Sequence, residues 1–475
     1  MNYLIGIDVG TSATKTVLFD ENGQIKGSVS CEYPLYQPEN GWAEQKAEDW
    51  RDAVLKTLKE VMKLSGVPAE EVKGIGISGQ MHGLVMLDEQ GEVLRPSIIW
   101  CDQRTGEEVE DMLRIMPKER WIQITANPPL TGWTAAKILW VRKHEPEIYA
   151  RCRHILLPKD YIRYILTGVF ATEVSDASGM QLLDVPGRCW SDEVLEKLEI
   201  PKEWLGTVYE SCQVTGTLLP EIAEQTGLST EVKVVGGAGD NAAAAVGTGV
   251  VRDGSAFTTI GTSGVVFAHS SKVTIDPKGR VHTCCCAVPS AWHVMGVTQG
   301  AGLSLKWFKD QFCQDYVAEA KKQGVDVYDL INRDIEKIPV GSDRLLYLPY
   351  LMGERTPHLD PDCRGVFFGL SAIHTKAHLL RAVMEGVSYS LADCNEILKE
   401  MGVDVDQMMA CGGGGKSPIW RQMLSDLYQC QVKTVYQSEG PALGVAILAG
   451  VGCGIYESVE SACDRLIRED RVSQP

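Results

Sequence analysis

The chain has 475 residues, 44% hydrophobic and 23% charged, with a formal net charge of −17 and an isoelectric point near 5.1. A chain of this size and composition predicts two or three globular domains with substantial cores. Its acidic balance argues against a nucleic-acid or anionic-membrane surface and for small-molecule partners.

The start of the chain has no basic segment followed by an apolar run, so no secretory leader and a cytoplasmic location are expected. Residues 4–19 (LIGIDVGTSATKTVLF) read as two strands joined by a Gly10-Thr11-Ser12 turn. Residues 47–64 have the spacing of an amphipathic helix, and 72–80 (VKGIGISGQ) that of the strand after it. That strand runs into Gln80, Met81 and His82. His82 lies in a glycine-flanked turn, and is either exposed to solvent or a contact for ligand hydroxyls. Residues 98–104 (IIWCDQR) end a strand with Trp100, Asp102 and Arg104, a mixture suited to stacking on and hydrogen-bonding a polyol, or equally to an ion-paired strand end.

Residues 231–240 form a strand that runs into glycine. Asp240 opens the stretch DNAAAAVG, where it or Asn241 could cap the helix, or where a reactive carboxylate could meet a ligand against bare backbone. Residues 256–270 (AFTTIGTSGVVFAHS) repeat the strand–Gly-Thr-Ser–strand pattern. Residues 282–286 (HTCCC) suggest a metal site only superficially, because neighbours along a strand point to opposite faces; a buried strand is expected. The 15 cysteines are an odd number without a C-x-x-C pair, as in reduced thiols. Residues 378–401 form a long helix. Residues 406–415 are a strand entering a glycine loop, and 419–429 the helix after it. The loop Gly412–Ser417 approaches a P-loop, but Ala410 stands where the strict pattern has glycine, Pro418 follows at once, and too little chain remains for a P-loop core. A glycine loop that admits a nucleotide against the backbone fits better. Residues 441–456 are apolar but short and glycine-punctuated, as in a core helix rather than a membrane span.

The two Gly-Thr-Ser hairpins suggest duplicated halves facing a cleft, with the break near residues 243–254 and domains over 1–245 and 246–475. Each hairpin can cradle phosphate in backbone N–H groups. The copies differ: Asp8 precedes the first turn, while Thr259 stands at the equivalent place in the second. A cleft that holds one metal-bound nucleotide needs that asymmetry; a bare structural repeat does not.

Two long stretches, residues 132–144 (GWTAAKILWVRKH, with Lys137 and Trp140 in register) and 365–385 (GVFFGLSAIHTKAHLLRAVME), resemble signatures of the FGGY carbohydrate kinases, in the actin-like ATPase superfamily. The resemblance runs from Leu4 to about Gly450. GIDVGTSATK, GQMHG, LLPKDYIRY, GDNAAAAVG and LPYLMGERTPH are most similar to its xylulose-phosphorylating branch. It implies an α/β fold of two RNase-H-like domains, with ATP and a sugar in the cleft between them. Asp240 would be the general base, and Asp8 would organise Mg²⁺ and the phosphates, directly or through water. Met81, His82 and Asn241 would contact the sugar, together with Gln80, Trp100 and Asp102. Gly10, Thr11, Ser12 and Lys15 of the first hairpin, Gly261, Thr262 and Ser263 of the second, and Gly413, Gly414 and Ser417 would hold ATP. The expected reaction is phosphorylation of D-xylulose at its terminal hydroxyl. Ribulose, gluconate or glycerol as substrate, a sugar-indifferent actin-like ATPase, and a sugar-binding regulator with a dead site are the alternatives, and a homodimer is left open. TANPP (125–129) departs from the family's usual Thr-Gly-Asn, so that wall of the sugar site is expected to differ. A further tyrosine-containing segment and last helix, usual in the family, are expected to be missing.

Overall fold

The computed structural model describes residues 1–437 and 439–475. β1 (Tyr3–Val9), β2 (Ala13–Asp20) and β3 (Ile25–Glu32) form an antiparallel meander, and after α1 (Ala47–Ser65), β4 (Val72–Gly79) returns parallel to β1. An excursion containing α2 (Thr134–His144) and α3 (Pro158–Thr167) leads to β5 (Val214–Thr217) and β6 (Lys233–Val235), then α4 (Asp240–Gly247). The first sheet runs β5-β6-β4-β1-β2-β3, and a two-residue strand, Ala238–Gly239, also pairs with β4.

The second half comprises β7 (Gly254–Ile260), β8 (Gly264–Ser270), β9 (His282–Cys285), β10 (Trp292–Thr298), α5 (Gly302–Phe312), α6 (Val327–Ile335), α7 (Lys376–Glu400), β11 (Val405–Cys411), α8 (Pro418–Tyr428), β12 (Gln431–Val435), α9 (Gly440–Gly452) and β13 (Glu469–Ser473). Its sheet runs β9-β10-β8-β7-β11-β12-β13. In both sheets a hairpin is flanked on one side by an antiparallel strand and on the other by two parallel strands in succession: β3 against β4 and β6, β10 against β11 and β12. The duplication suggested by the two hairpins is therefore one of topology.

Local sequence accounts for the elements. In α1, Trp50, Val54, Leu58 and Val61 fall on one face and are buried, the spacing of an amphipathic helix. It stops at Gly66, whose left-handed φ of 64° lets its N–H return to the Met62 carbonyl. The first four residues of the HTCCC segment form the buried strand β9, and Cys286 after it is buried as well. Among the described residues no group of three or more His, Cys, Asp or Glu side chains could hold a metal ion, and no helix is long and apolar enough to cross a membrane.

The apolar helix α9 lies far from the first sheet in sequence but packs against it. Its residues from Ala442 to Gly450 are buried, in a core shared with Leu4, Val17, Phe19 and Ala243. Glycines allow this approach. A Cβ on Gly76 of β4 would sit 1.9 Å from the Val445 carbonyl oxygen, and one on Gly444 1.9 Å from that of Ala243. Helix, strand and the helix carrying Asp240 thus meet backbone to backbone. A division at residue 245 separates the two sheets along the chain but falls within α4, and α9, although it comes from the second half of the chain, packs on the first sheet. Gly76→Ala is expected to destabilise the protein by about 1–3 kcal/mol or more through overpacking; a urea midpoint equal to wild type would show that α9 can shift away at no cost.

Candidate active site

The parallel strands β1 and β4 and the strand Ala238–Gly239 end side by side. Asp8 pairs in register with Ser78, and Ser78 with Ala238. The first hairpin turn, the Gln80–His82 turn and Asp240 therefore emerge together at the carboxyl ends of the strands, where open α/β sheets bind ligands. Ser78 donates a hydrogen bond of 3.0 Å to Asp8. Burial still raises the Asp8 carboxyl above the ordinary carboxylate range, against the opposing influence of Ser78 and Lys15.

Asp240 is not the helix cap. Gly239 holds that position and Asp240 is the first helical residue. Its Oδ1 accepts from the backbone N–H (2.7 Å) and the side-chain amide (3.0 Å) of Asn241. A helix N-terminus favours an ionised carboxylate, but here burial, reinforced by the nearby negative charge of Asp8, pushes Asp240 up to about 7. Near neutral pH it can therefore both accept and hold a proton. Asn241 is placed on Asp240 itself.

His82 is not a solvent-exposed turn residue. It adopts a left-handed φ of 70° and stacks on Trp133 at 4.5 Å. Its carbonyl accepts from Lys137 Nζ (2.7 Å) and the Thr134 hydroxyl (3.1 Å), both on α2. Its Nδ1 lies 2.8 Å from the Gly179 carbonyl, which only accepts. The proton therefore sits on Nδ1, and Nε2 is left as an acceptor. Trp133 also lies 5.4 Å from His282 of β9. Its Nδ1 is 3.0 Å from Asn127 Oδ1, and the orientation of that amide is set by its own donations to the Thr125 and Thr283 carbonyls. His282 therefore has the same tautomer. Burial pushes both imidazoles down to about 3, so both are neutral. TANPP thus supplies Asn127, which joins the two halves.

The other predicted sugar contacts are engaged by the protein itself. Asp102 is buried, accepting from the Ala43 N–H (2.6 Å) and pairing with Arg104 (2.8 Å), so the ion-paired strand end is what forms. Gln80 is 1% exposed and donates to Gln45 (2.7 Å) and the Gly10 carbonyl (3.4 Å), holding the first hairpin from beneath. Met81 is buried under the Gly239 and Gly179 backbone. Trp100, 40% exposed, donates to the Thr11 hydroxyl (2.9 Å) at the cleft mouth.

A buried ionic network beneath the Asp240 turn was not anticipated. Lys159 Nζ lies 2.8 Å from Asp160, 3.2 Å from Asp176 and 3.3 Å from Glu173. Arg163 bonds Asp160 and the Gly236 carbonyl, both at 2.7 Å, and Glu173 holds the Ser175 hydroxyl, which accepts from the Gly239 N–H at 3.1 Å. The turn before Asp240 is therefore braced at both ends. Burial and the neighbouring carboxylates raise Asp176 well above the ordinary range despite Lys159. LLPKDYIRY carries Lys159, Asp160 and Arg163 in one run, the signal that could have pointed here.

The amide N–H groups of Thr11, Ser12, Thr262 and Ser263 make no hydrogen bond among the described residues, leaving donors in both turns. The second turn is tied to the start of α5 by bonds from the Gly302 and Leu303 N–H groups to the Gly261 and Thr262 carbonyls (2.7 and 3.2 Å). Beside it opens a cavity of about 550 Å³ lined by Gly261, Thr262, Asn332, Gly413, Gly414 and Ser417. A Cβ on Gly413 would meet nothing within 4 Å, whereas one on Gly414 would strike Ile260. Ser417 caps α8, accepting from the Trp420 N–H (3.3 Å) and donating to Asn332 (3.0 Å). Lys15 does not face this cavity as an unpaired cation; it pairs with Glu439 at 2.5 Å.

Two bare-amide turns, a glycine-lined cavity and a near-neutral carboxyl at the strand ends form the constellation of a phosphotransferase. Residues 3–247 match the N-terminal domain of the FGGY family of carbohydrate kinases, and residues 256–453 its C-terminal domain. The chain is 41% identical to a xylulose kinase of Bacillus subtilis (strain 168), over all of this chain and 93% of that one. It is 40% identical to a xylulose kinase of Escherichia coli (strain K12), over 96% of this chain and 91% of the relative. The fold is similar to the crystal structure of ligand-bound xylulose kinase from Lactobacillus acidophilus, with a TM-score of 0.93 at 28% identity, covering 100% of this chain and 94% of that one. The chain belongs to the FGGY family of carbohydrate kinases, with the actin-like ATPase fold.

Proposed function

We propose that the protein transfers the γ-phosphoryl group of ATP to the terminal hydroxyl of D-xylulose, with Mg²⁺, in the cytoplasm. The observation that carries this reading is the Asp240 carboxyl, held near neutrality beside Asp8 and within the same set of strand ends as His82. Phosphoryl transfer needs in-line placement and charge neutralisation more than covalent chemistry. The sugar hydroxyl attacks the γ-phosphorus, the bond to the β–γ bridging oxygen breaks, and the hydroxyl proton passes to Asp240. The free amides of the two Gly-Thr-Ser turns donate to the phosphate oxygens, and the cavity beside Gly413 accepts the adenosine. Asp8 and Ser78 offer hard oxygen atoms, and Mg²⁺ commonly takes one or two carboxylates with phosphate oxygens and water, so this sparse set fits it; when bound, it neutralises phosphate charge. Closure of the two halves over both ligands excludes water and limits ATP hydrolysis.

A coupled ADP-release assay over ketoses, aldoses and polyols tests the assignment. Xylulose should have the highest kcat/KM, and ATP turnover indifferent to every sugar would point instead to a non-kinase ATPase. His82→Ala should raise the sugar KM roughly 10-fold or more, since a hydrogen bond to a buried site is lost, with the KM for ATP little changed. Equal kinetics across the panel would remove His82 from the sugar site.

A further inference from the structure

Lys15 is the one cation of the first hairpin. It stands directly across from Asp8 on the neighbouring strand, so the two side chains share a face with their Cβ atoms roughly 5 Å apart. Its ammonium lies 2.5 Å from the Glu439 carboxylate and makes no other ion pair or side-chain hydrogen bond among the described residues. An ammonium carries three donors, so N–H groups remain free beside the bare amides of Thr11 and Ser12.

Glu439 reaches Lys15 from the far end of the chain. It occupies the cap position of α9, yet its side chain makes no cap bond. One of the two N–H groups that a cap side chain takes is missing, because Pro441 stands at the second helical position. The Glu439 side chain is 13% exposed, against 40% for Lys15, so its carboxylate is held inside the structure rather than solvated. Its helix also sets its relation to Asp240. α4 and α9 occupy corresponding places in the duplicated topology, each following the second parallel strand of its sheet, β6 or β12. Asp240 opens the first of these helices, and Glu439 directly precedes the second. The two helices touch backbone to backbone: a Cβ on Gly247 would fall 1.8 Å from the Gly440 carbonyl oxygen.

We infer that Glu439 is a positioning residue for phosphoryl transfer, holding the Lys15 ammonium at one point of the cleft so that its free N–H groups meet the phosphate charge during the reaction. The inference rests on the sugar-kinase reading above. A lysine without a partner spreads its ammonium over many rotamers. The pair fixes it before the nucleotide arrives, and refers it to the same two helices that carry Asp240, which is pre-organisation of charge. A fixed carboxylate near phosphate also repels it, and Lys15 balances that charge. Glu439 should therefore matter to kcat and not to nucleotide affinity.

Turnover at saturating sugar and calorimetric titration with ATP test this together. Glu439→Gln should lower kcat roughly 10–100-fold, as for a misplaced catalytic contact, while the Kd for ATP stays within a few-fold of wild type or tightens. Glu439→Asp, which keeps the charge on a shorter arm, should retain more turnover, and reads the same split should the glutamine variant not fold. In a Lys15→Met background, Glu439→Gln should cause no further loss of kcat, since it acts through Lys15, and should tighten ATP binding by removing a carboxylate that has lost its cation. Melting temperature serves as the control. Losses that add in the double variant, an unchanged kcat in Glu439→Gln, or weakened ATP binding with kcat intact overturns the inference. Wild-type protein inactive on every sugar would instead overturn the functional reading on which it rests.

Discussion

Asp240→Asn should lower kcat roughly 10²–10⁴-fold and, at pH 8, raise the melting temperature. Both follow from the same carboxyl. Burial and the charge of Asp8 move it from 3.8 to about 7. A folded-state pKa above the unfolded one means that the fold disfavours the ionised form. Wild-type protein therefore carries a penalty that is full above pH 7, shrinks as the pH falls through that value, and is gone below about 4. Asparagine keeps the shape without the charge. The displacement corresponds to at most ~4 kcal/mol, and roughly half that once solvent at the partly exposed site screens the charge, or several degrees in melting temperature. Calorimetry at pH 8 and pH 4, beside the ADP-release assay, checks both effects. The stabilisation should be present at pH 8 and absent at pH 4, with xylulose and ATP still binding. Turnover within tenfold of wild type would end the general-base role. An unchanged melting temperature at pH 8 would mean that Asp240 ionises like an ordinary surface carboxylate.

Lys159→Met should cost about 3–5 kcal/mol, because it leaves buried carboxylates without their cation. Lys159 is fully buried, and three acidic side chains converge on it. Although burial opposes it, Lys159 and Arg163 hold Asp160 below the ordinary carboxylate range. Without Lys159 the pKa of Asp160 and its neighbours rises in the folded state, so the loss is largest at high pH and eases as acid protonates them. Urea unfolding at pH 8 and pH 5.5 should show the deficit shrinking with acidification. A loss below 1 kcal/mol, or one independent of pH, would mean that the cluster is not electrostatically coupled. Turnover should fall as well, because Glu173 and Arg163 brace the turn before Asp240 through Ser175, Gly239 and Gly236.

Much of this was legible in the sequence where chemistry is local. A strand–Gly-Thr-Ser–strand pattern needs only period-2 apolar spacing and a turn residue without a side chain, and both copies form as written. The glycine loop before α8 and the buried strand at HTCCC are of the same kind. Side chains at strand ends were harder. Gln80 was expected at the ligand and Asp102 either at the ligand or in an ion-paired strand end, and both turn inward to partners 35 and 59 residues away, Gln45 and Ala43. His82 could be read either as a turn residue open to water or as a ligand contact, and only the approach of Trp133 and Gly179 decides against the first.

The sequence by itself determined the duplicated hairpins, the α/β alternation, the presence of Asp8 and Asp240 at strand ends, and the family, because each rests on short-range periodicity or on an unbroken motif. Only the tertiary structure decided which carboxyl sits near neutrality, which tautomer each histidine adopts, and that α9 from the end of the chain covers the first sheet. Those properties are set by desolvation and by charges and carbonyls brought in from distant segments, and no single stretch of sequence contains both partners.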